Sequence, residues 1–165
     1  MQVVSKPRVR QVRYRELEEV GALVFDAFAS FRQVLAAHIF KPYVKDAANL
    51  TMRWQEANVM VLEQEGRIVG TVTYYADAAR EGMGWPSGFA GLRTLAVSPA
   101  AQGRGHGRVL CEWCVTRARR QGATALALHT ASFMTSACML YERIGFQRHP
   151  SHNLLASEVL GFDPA

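Results

Sequence analysis

A glycine-rich segment near the middle of the chain has the residue types that bind a phosphate group. The apolar run 92–97 leads into it, and its glycines are Gly103, Gly105 and Gly107. A helical pattern follows, and the first N–H groups of a helix lack internal partners and carry partial positive charge. Glycine lets a ligand approach that backbone closely. With the added charges of Arg104 and Arg108, the segment predicts an anion site, above all for phosphate.

Two common phosphate-binding loops do not fit this segment. A Walker loop requires Gly-Lys-Ser/Thr, which is missing. A dinucleotide fingerprint requires G-x-G-x-x-G, and here Arg108 stands at the position of the third glycine. The acidic residue expected about 20 positions later is also missing, because residues 123–129 contain no carboxylate. A turn that binds no ligand stays open as the alternative.

Two motifs resemble those of a known enzyme family. Residues 97–107 read Val-x-Pro-x-x-Gln-Gly-x-Gly-x-Gly, which resembles the acetyl-CoA signature of the GNAT superfamily of N-acetyltransferases. Residues 137–146 read Ala-Cys-Met-Leu-Tyr-Glu-Arg-Ile-Gly-Phe, which resembles the family's Ala-x-x-Leu-Tyr-Glu-Lys/Arg-x-Gly-Phe. The order of helices and strands before them also fits. The resemblance therefore reaches across nearly the whole chain.

The resemblance implies a role for each part of the first motif. The pyrophosphate of CoA would lie against Gln102, Gly103, Arg104, Gly105, His106, Gly107 and Arg108. The backbone at Leu95, Ala96 and Val97 would pair with the pantetheine arm and polarise the thioester carbonyl. Tyr141 matches the family tyrosine that protonates the leaving thiolate, and a phenol with a pKa of about 10 suits that proton transfer.

The base that deprotonates the acceptor amine is not assigned by the resemblance. Many family members carry a glutamate where Gly91 stands here, and an asparagine where Met134 stands. An amine with a pKa of about 10 is protonated at neutral pH, so some group must take its proton. His129, on the strand predicted after the binding helix, is the first candidate. The alternatives are backbone carbonyls with water and three carboxylates, namely Asp77, Glu81 and Glu63.

The pattern of apolar residues predicts the elements that position these groups. Helical spacing predicts a first helix from Leu17 to Phe31, and Pro42 then interrupts the pattern. A second helix is predicted to carry Val44, Ala48 and Met52 or Trp54, and later helices lie around 110–118 and 134–144. Short β-rich runs predict strands at 8–14, 59–62, 68–75, 92–97 and 125–130, with two more around 150–153. The order is β α α β β β α β α β β. It predicts an α/β fold with a central, mostly antiparallel mixed sheet and helices on both faces, GNAT-like.

Composition sets the broad class of protein. The 165 residues carry a net charge of +5 and are 49% hydrophobic, which is typical of one globular domain. We expect a single N-acetyltransferase domain over 1–165, with the core motifs at about 91–147. No apolar run reaches the roughly 18 residues of a membrane-spanning helix, and no secretory signal is evident, so a cytoplasmic location is expected.

The three cysteines are too few to suggest a disulfide framework or a metal site. Cys111 and Cys114 form a C-x-x-C pair, but it lies inside a predicted helix on its apolar face. Zinc would need four ligands, and no second close Cys/His pair exists. The sequence therefore predicts packed thiols and no metal.

The expected function combines the resemblance with the charge. The resemblance implies an N-acetyltransferase that moves the acetyl group of acetyl-CoA to a primary amine by direct attack in a ternary complex. A small-molecule acceptor is expected, with a protein or peptide N-terminus as the alternative, and a non-catalytic CoA-binding sensor as a rival of another class. The positive surplus suits the phosphates of CoA and does not require nucleic acid, and no membrane partner is expected. A homodimer is a common outcome for such chains.

Overall fold

The computed structural model describes Met1 and residues 4–150. One five-stranded sheet has the order β1-β2-β3-β4-β5. Its strands are β1 (Arg8–Gln11), β2 (Asn58–Gln64), β3 (Arg67–Tyr75), β4 (Phe89–Val97) and β5 (Ala125–Ala127). The first three pairings are antiparallel and only β4 and β5 run parallel. The predicted mixed and mostly antiparallel sheet is therefore confirmed.

Helices cover both faces of this sheet, as predicted. They are α1 (Leu17–Phe28), α2 (Ala37–Ala48), α3 (Leu50–Arg53), α4 (His106–Arg120) and α5 (Thr135–Ile144). Successive side chains of a strand point to opposite faces. In β2, Val59 and Val61 accordingly pack in a cluster with α1, whereas Met60 and Leu62 pack in a cluster with α4. Each face thus has its own hydrophobic core.

The structure departs from the predicted element order at the second helix and at the end of the chain. The second helix begins earlier than predicted, since α2 starts at Ala37 and Pro42 lies inside it, where it removes one backbone hydrogen bond. Burial of Phe40, Val44 and Ala47 on one side of α2 holds the helix together across the proline. The sequence predicts two final strands in the tail from Phe146 onward, around 150–153. Residues 146–149 form no strand, and residues 151–165 lie outside the described residues.

The loop before β4 is more ordered than its sequence suggests. Residues 77–88 show no periodicity, yet Ala78–Glu81 forms a 3-10 turn that the side chain of Asp77 caps. Ala78 and Trp85 are buried against Ala127 of β5. This packing fixes the loop at the end of the sheet where β4 and β5 meet.

Candidate active site

The two parallel strands form a fork. β4 and β5 are joined at Phe89–Ala125, Ala90–Leu126 and Gly91–Ala127, and the pairing ends there. From Leu92 to Val97, no described strand pairs with this edge of β4. The fork thus exposes the edge that contains Leu95, Ala96 and Val97, as the sequence motif predicts. An extended ligand can pair with such an edge by main-chain hydrogen bonds.

A β-bulge bends β4 along the open edge. Between the pairs Thr71–Ala96 and Thr73–Arg93, β3 contributes one residue and β4 contributes two. One of the two, Thr94, has a φ of 54°, in the left-handed region that β-branched residues rarely adopt. Bulges of this kind re-aim a strand and are frequent beside active sites. The sequence does not reveal this one, because threonine favours ordinary extended backbone.

The glycine-rich turn has the geometry of an anion cradle. Gly103 and Gly105 have φ values of 78° and 82°, and Gly105 forms the N-cap of α4. The Val109 N–H donates to the Gly105 carbonyl at 3.1 Å, so the N–H groups just before Val109 lack an intrahelical acceptor. A Cβ on Gly107 would lie 3.4 Å from Leu140, which shows how closely α4 and α5 pack here. Backbone donors and the helix dipole suit a phosphate group.

The side chains of the turn divide into supporting and exposed groups. The Gln102 side-chain amide donates to the Val97 carbonyl at 3.0 Å and so fixes the turn to the end of β4. Arg104 is exposed, and Arg108 forms an exposed ion pair with Glu112 at 2.8 Å. Such a pair contributes at most about 1 kcal/mol, so a phosphate can compete for the guanidinium. His106 is 5% exposed, and its ring nitrogens have no hydrogen-bond partner among the described residues.

Tyr141 lies on α5 in the core cluster shared with α4. It is 8% exposed and its ring packs edge-on against Phe146, with 5.6 Å between the centroids. Burial raises the pKa of the Tyr141 phenol above its ordinary value of 10. The hydroxyl therefore stays protonated at neutral pH, which is the state that the predicted acid role requires.

The C-x-x-C pair shows no sign of redox or metal chemistry. Cys111 and Cys114 are fully buried in the core under α4. Burial raises the pKa of both thiols, that of Cys111 to about 12, so they stay protonated and inert. Among the residues that the structure describes, no group of three His, Cys, Asp or Glu side chains could hold a metal ion.

The candidate bases occupy different environments. His129 follows β5, is half-buried, and its ring lies 4.6 Å from that of Trp85 between centroids. Asp77 is exposed and its carboxylate caps the backbone N–H of Ala79. Glu63 pairs with Arg10 at 2.8 Å, on the far side of the sheet from the fork. Asp77 and Glu63 therefore have structural roles, one as a cap and the other in an ion pair.

Glu81 has a different setting from the other carboxylates. Its side chain is 2% exposed, and Oε1 lies 3.9 Å from the Arg93 guanidinium. Its second oxygen, Oε2, is buried and accepts no hydrogen bond from any described residue. Burial raises the pKa of Glu81 to about 7, although Arg93 and Arg53 act in the opposite direction. The carboxyl group is thus part ionised near neutral pH.

Aromatic residues close the face of the sheet that α1 and α2 cover. Phe31, just after α1, packs edge-on against Phe133 before α5, with 5.1 Å between ring centroids. Tyr43 of α2 stacks on Phe28 and donates to the Met134 sulfur at 3.9 Å. Met134 is thus a packing contact at the position where the resemblance implies an asparagine. These contacts join α2 and the turn after α1 to the segment just before α5.

Comparison with known proteins agrees with this geometry. The profile of the Acetyltransferase (GNAT) family matches residues 24–146. "Probable N-acetyltransferase camello" of Xenopus tropicalis is 29% identical over 116 residues, which cover 69% of this chain and 49% of that protein. The chain thus spans about half the length of this curated relative.

Solved structures with the same fold carry the co-substrate that the motif implies. A GNAT family acetyltransferase from Brucella melitensis, in complex with acetyl-CoA, aligns over 87% of this chain and 84% of its own, with a TM-score of 0.61 and 22% identity. The PaiA N-acetyltransferase of Thermoplasma acidophilum, in complex with coenzyme A, covers 87% and 91% with a TM-score of 0.69 and 10% identity. At these identities the likeness shows the fold.

The family match covers about three quarters of the chain and includes both motifs and the fork. The protein belongs to the GNAT family of acetyltransferases. No helix in the described part of the chain is long and apolar enough to cross a membrane.

Proposed function

We propose that this protein transfers the acetyl group of acetyl-CoA to a small primary amine by direct attack in a ternary complex. One observation carries the proposal: the open edge of β4 leads directly into the glycine turn at the N-terminus of α4. An elongated ligand with a phosphate at one end fits both features at once. The family to which the chain belongs supports acetyl transfer as the chemistry.

Acetyl-CoA supplies the activated acetyl group as a thioester, and the chain's own groups bind and polarise it. The N–H groups of residues 103–108 bind the pyrophosphate, and the exposed Arg104 adds charge. The edge at Leu95, Ala96 and Val97 aligns the pantetheine arm. A backbone N–H near the bulge donates to the acetyl oxygen as negative charge develops there. The Tyr141 hydroxyl donates its proton to the departing sulfur.

The aromatic contacts of Phe31 and Tyr43 favour a small acceptor. Phe31 contacts Phe133 and Tyr43 contacts Met134, so both join the helical layer to the segment before α5, and we place the acceptor beside these contacts. A folded protein surface would need these contacts to open. An extended peptide N-terminus fits more easily and stays the alternative acceptor. The cytoplasmic location, the single domain over 1–165 and a homodimer stay predictions from the sequence.

A thiol-release assay across an acceptor panel tests the proposed function. The panel pairs small primary amines with short peptides that have free N-termini, each at the same concentration of acetyl-CoA. We expect CoA release with at least one small amine and little with the peptides. Preferred release with a peptide would reassign the acceptor. If acetyl-CoA raises the melting temperature but no acceptor releases CoA, the protein is a CoA-binding sensor instead.

A further inference from the structure

We propose that Glu81, from the turn before β4, is the general base that takes the proton from the acceptor amine. This inference rests on the proposed acetyl transfer and deepens it. It replaces a base on β4 itself, since that strand has glycine at the matching position and no carboxylate from Leu92 to Val97.

The carboxylate of Glu81 lies at the vertex of the fork. Gly91 and Ala127 are the last pair that joins β4 to β5. A Cβ on Gly91 would lie 3.4 Å from Glu81 Oε2. The carboxylate thus occupies the space that a side chain on β4 would enter, and it does so where the open edge begins.

Packing holds the turn in this place. Ala78, in the same turn, is fully buried, and Trp85 is buried beside it against Ala127. A Cβ on Gly91 would lie 3.3 Å from the Cβ of Ala78, a tight contact. Glycine at this position therefore lets the turn pack close enough to the sheet for Glu81 to reach the fork.

The contacts of the Glu81 carboxylate leave one oxygen for a ligand. Oε1 faces Arg93, while Oε2 is buried without a partner among the residues described. A buried carboxylate oxygen without a hydrogen bond is costly and rare in folded proteins. An ammonium group of the acceptor, or a water bound between them, would satisfy it.

Charged and titratable groups of four elements lie around this carboxylate. Arg93 of β4 and Arg53 of α3 favour its ionised form, and Tyr75 of β3 is also close enough to interact. Asp46 of α2 accepts hydrogen bonds from both arginines, at 2.9 Å from Arg53 and 2.6 Å from Arg93. Its negative charge therefore offsets part of their positive charge. The ring of His129 packs against Trp85. The arginines keep the group ionisable although it is buried.

The resulting pKa suits a general base at neutral pH. Burial raises the pKa of Glu81 to about 7, close to the pH at which a base is both ionised and able to hold a proton. The ammonium form of the acceptor gives its proton to Glu81 Oε2, directly or through one water. The free amine then attacks the thioester carbon, the carbon–sulfur bond breaks, and the sulfur takes the Tyr141 proton. The second amine proton returns to Tyr141 through solvent, and Glu81 releases its own to water.

The test compares Glu81→Gln with the wild-type protein on the best amine of the acceptor panel. Glutamine keeps the size and removes the base. We expect kcat/KM at pH 7 to fall by about 10²- to 10⁴-fold, with no change in the rise of melting temperature that acetyl-CoA causes. Glu65→Gln, in the exposed turn between β2 and β3, is the matched control and should keep full activity.

The pH profile separates this base from His129. The wild-type kcat/KM should rise with pH through an inflection near 7, and Glu81→Gln should lose that inflection. Glu81→Gln activity within about threefold of wild type would overturn the proposal. So would an inflection near 7 that survives Glu81→Gln and disappears in His129→Ala. Failure of the wild-type protein to acetylate any amine would instead overturn the proposed function. The assay distinguishes the two results, because it measures the wild type and the variant independently.

Discussion

The Oε2 atom of Glu81 lies 3.4 Å from the point that a Cβ atom on Gly91 would occupy. The two residues are ten positions apart, and together they place a carboxylate at the vertex between β4 and β5. The strand supplies the space and the preceding turn supplies the acid group. Glu81 thus places a buried carboxylate beside Gly91, where β4 itself has no side chain.

Gly105→Glu should weaken acetyl-CoA binding. The φ of 82° at Gly105 is strained for any side chain, and a carboxylate there would repel the pyrophosphate. We expect a loss of affinity of about 10- to 100-fold in a calorimetric titration, equal to about 1.4–2.8 kcal/mol. Gly66→Glu is the matched control, because Gly66 has a φ of 76° and lies in the turn between β2 and β3. Equal losses in the two variants would show that backbone strain alone is responsible.

Tyr141→Phe should reduce turnover without reducing affinity for acetyl-CoA. The substitution removes the buried hydroxyl to which we assign proton donation to the leaving sulfur, and the phenylalanine ring can keep the contact with Phe146. We expect kcat to fall by about 10²-fold or more. As the control, Tyr74→Phe removes a different phenol, which donates to Gln121. An unchanged kcat in Tyr141→Phe would remove this tyrosine from the mechanism.

Arg93→Gln should move the neutral pH inflection to higher pH. The Arg93 guanidinium, 3.9 Å from Glu81 Oε1, favours the ionised carboxylate and so lowers its pKa. Without this positive charge, the effect of burial is less compensated, so the pKa of Glu81 rises. The shift is read from kcat/KM against pH, with the exposed Arg67→Gln as the control for lost positive charge. An inflection that stays in place or moves to lower pH would contradict the assignment of this ionisation to Glu81.

Glu81→Gln should stabilise the fold at alkaline pH. The pKa of Glu81 is about 7 in the folded protein and near 4.5 in the unfolded chain. Between these values the folded state binds more protons, so the contribution of Glu81 to stability is lost as pH rises. Above pH 7 the wild type thus buries a charge that glutamine does not have. We expect the variant to gain about 1–3 kcal/mol in unfolding free energy at pH 8.

The same comparison at pH 4 provides the control for that prediction. There the carboxyl group is largely protonated in both states, so the gain should become small. Chemical denaturation at the two pH values measures it. A gain of equal size at both would mean that packing rather than charge separates glutamate from glutamine.

The sequence predicts the features of the site that depend on local residue types. The glycine turn follows from Gly103 and Gly105, because their left-handed backbone conformations favour glycine. The open edge of β4 and the position of Tyr141 follow from the two motifs. Alternating residues of β2, such as Val59 and Met60, likewise predict a sheet that is covered on both faces.

The features that the sequence does not predict depend on contacts between distant elements. Thr94 adopts a left-handed conformation within β4 that its own side chain disfavours. Glu81 belongs to a segment without periodicity, where a solvated side chain is the ordinary expectation. Its burial results from packing of the turn against Gly91 and Ala127. The absence of a side chain at Gly91 is the one signal for it in the sequence, and it gains meaning only from the pairing of β4 with β5.

The most direct measurement follows the acetyl group itself. The protein is mixed with acetyl-CoA that is isotopically labelled in the acetyl group, with and without the best amine, and protein and products are read by mass spectrometry. We predict that the label moves to the amine in equal amount to the CoA released, and that the protein carries none in either mixture. Label that stays on CoA with every amine, or that becomes bound to the protein when no amine is present, would contradict direct acetyl transfer.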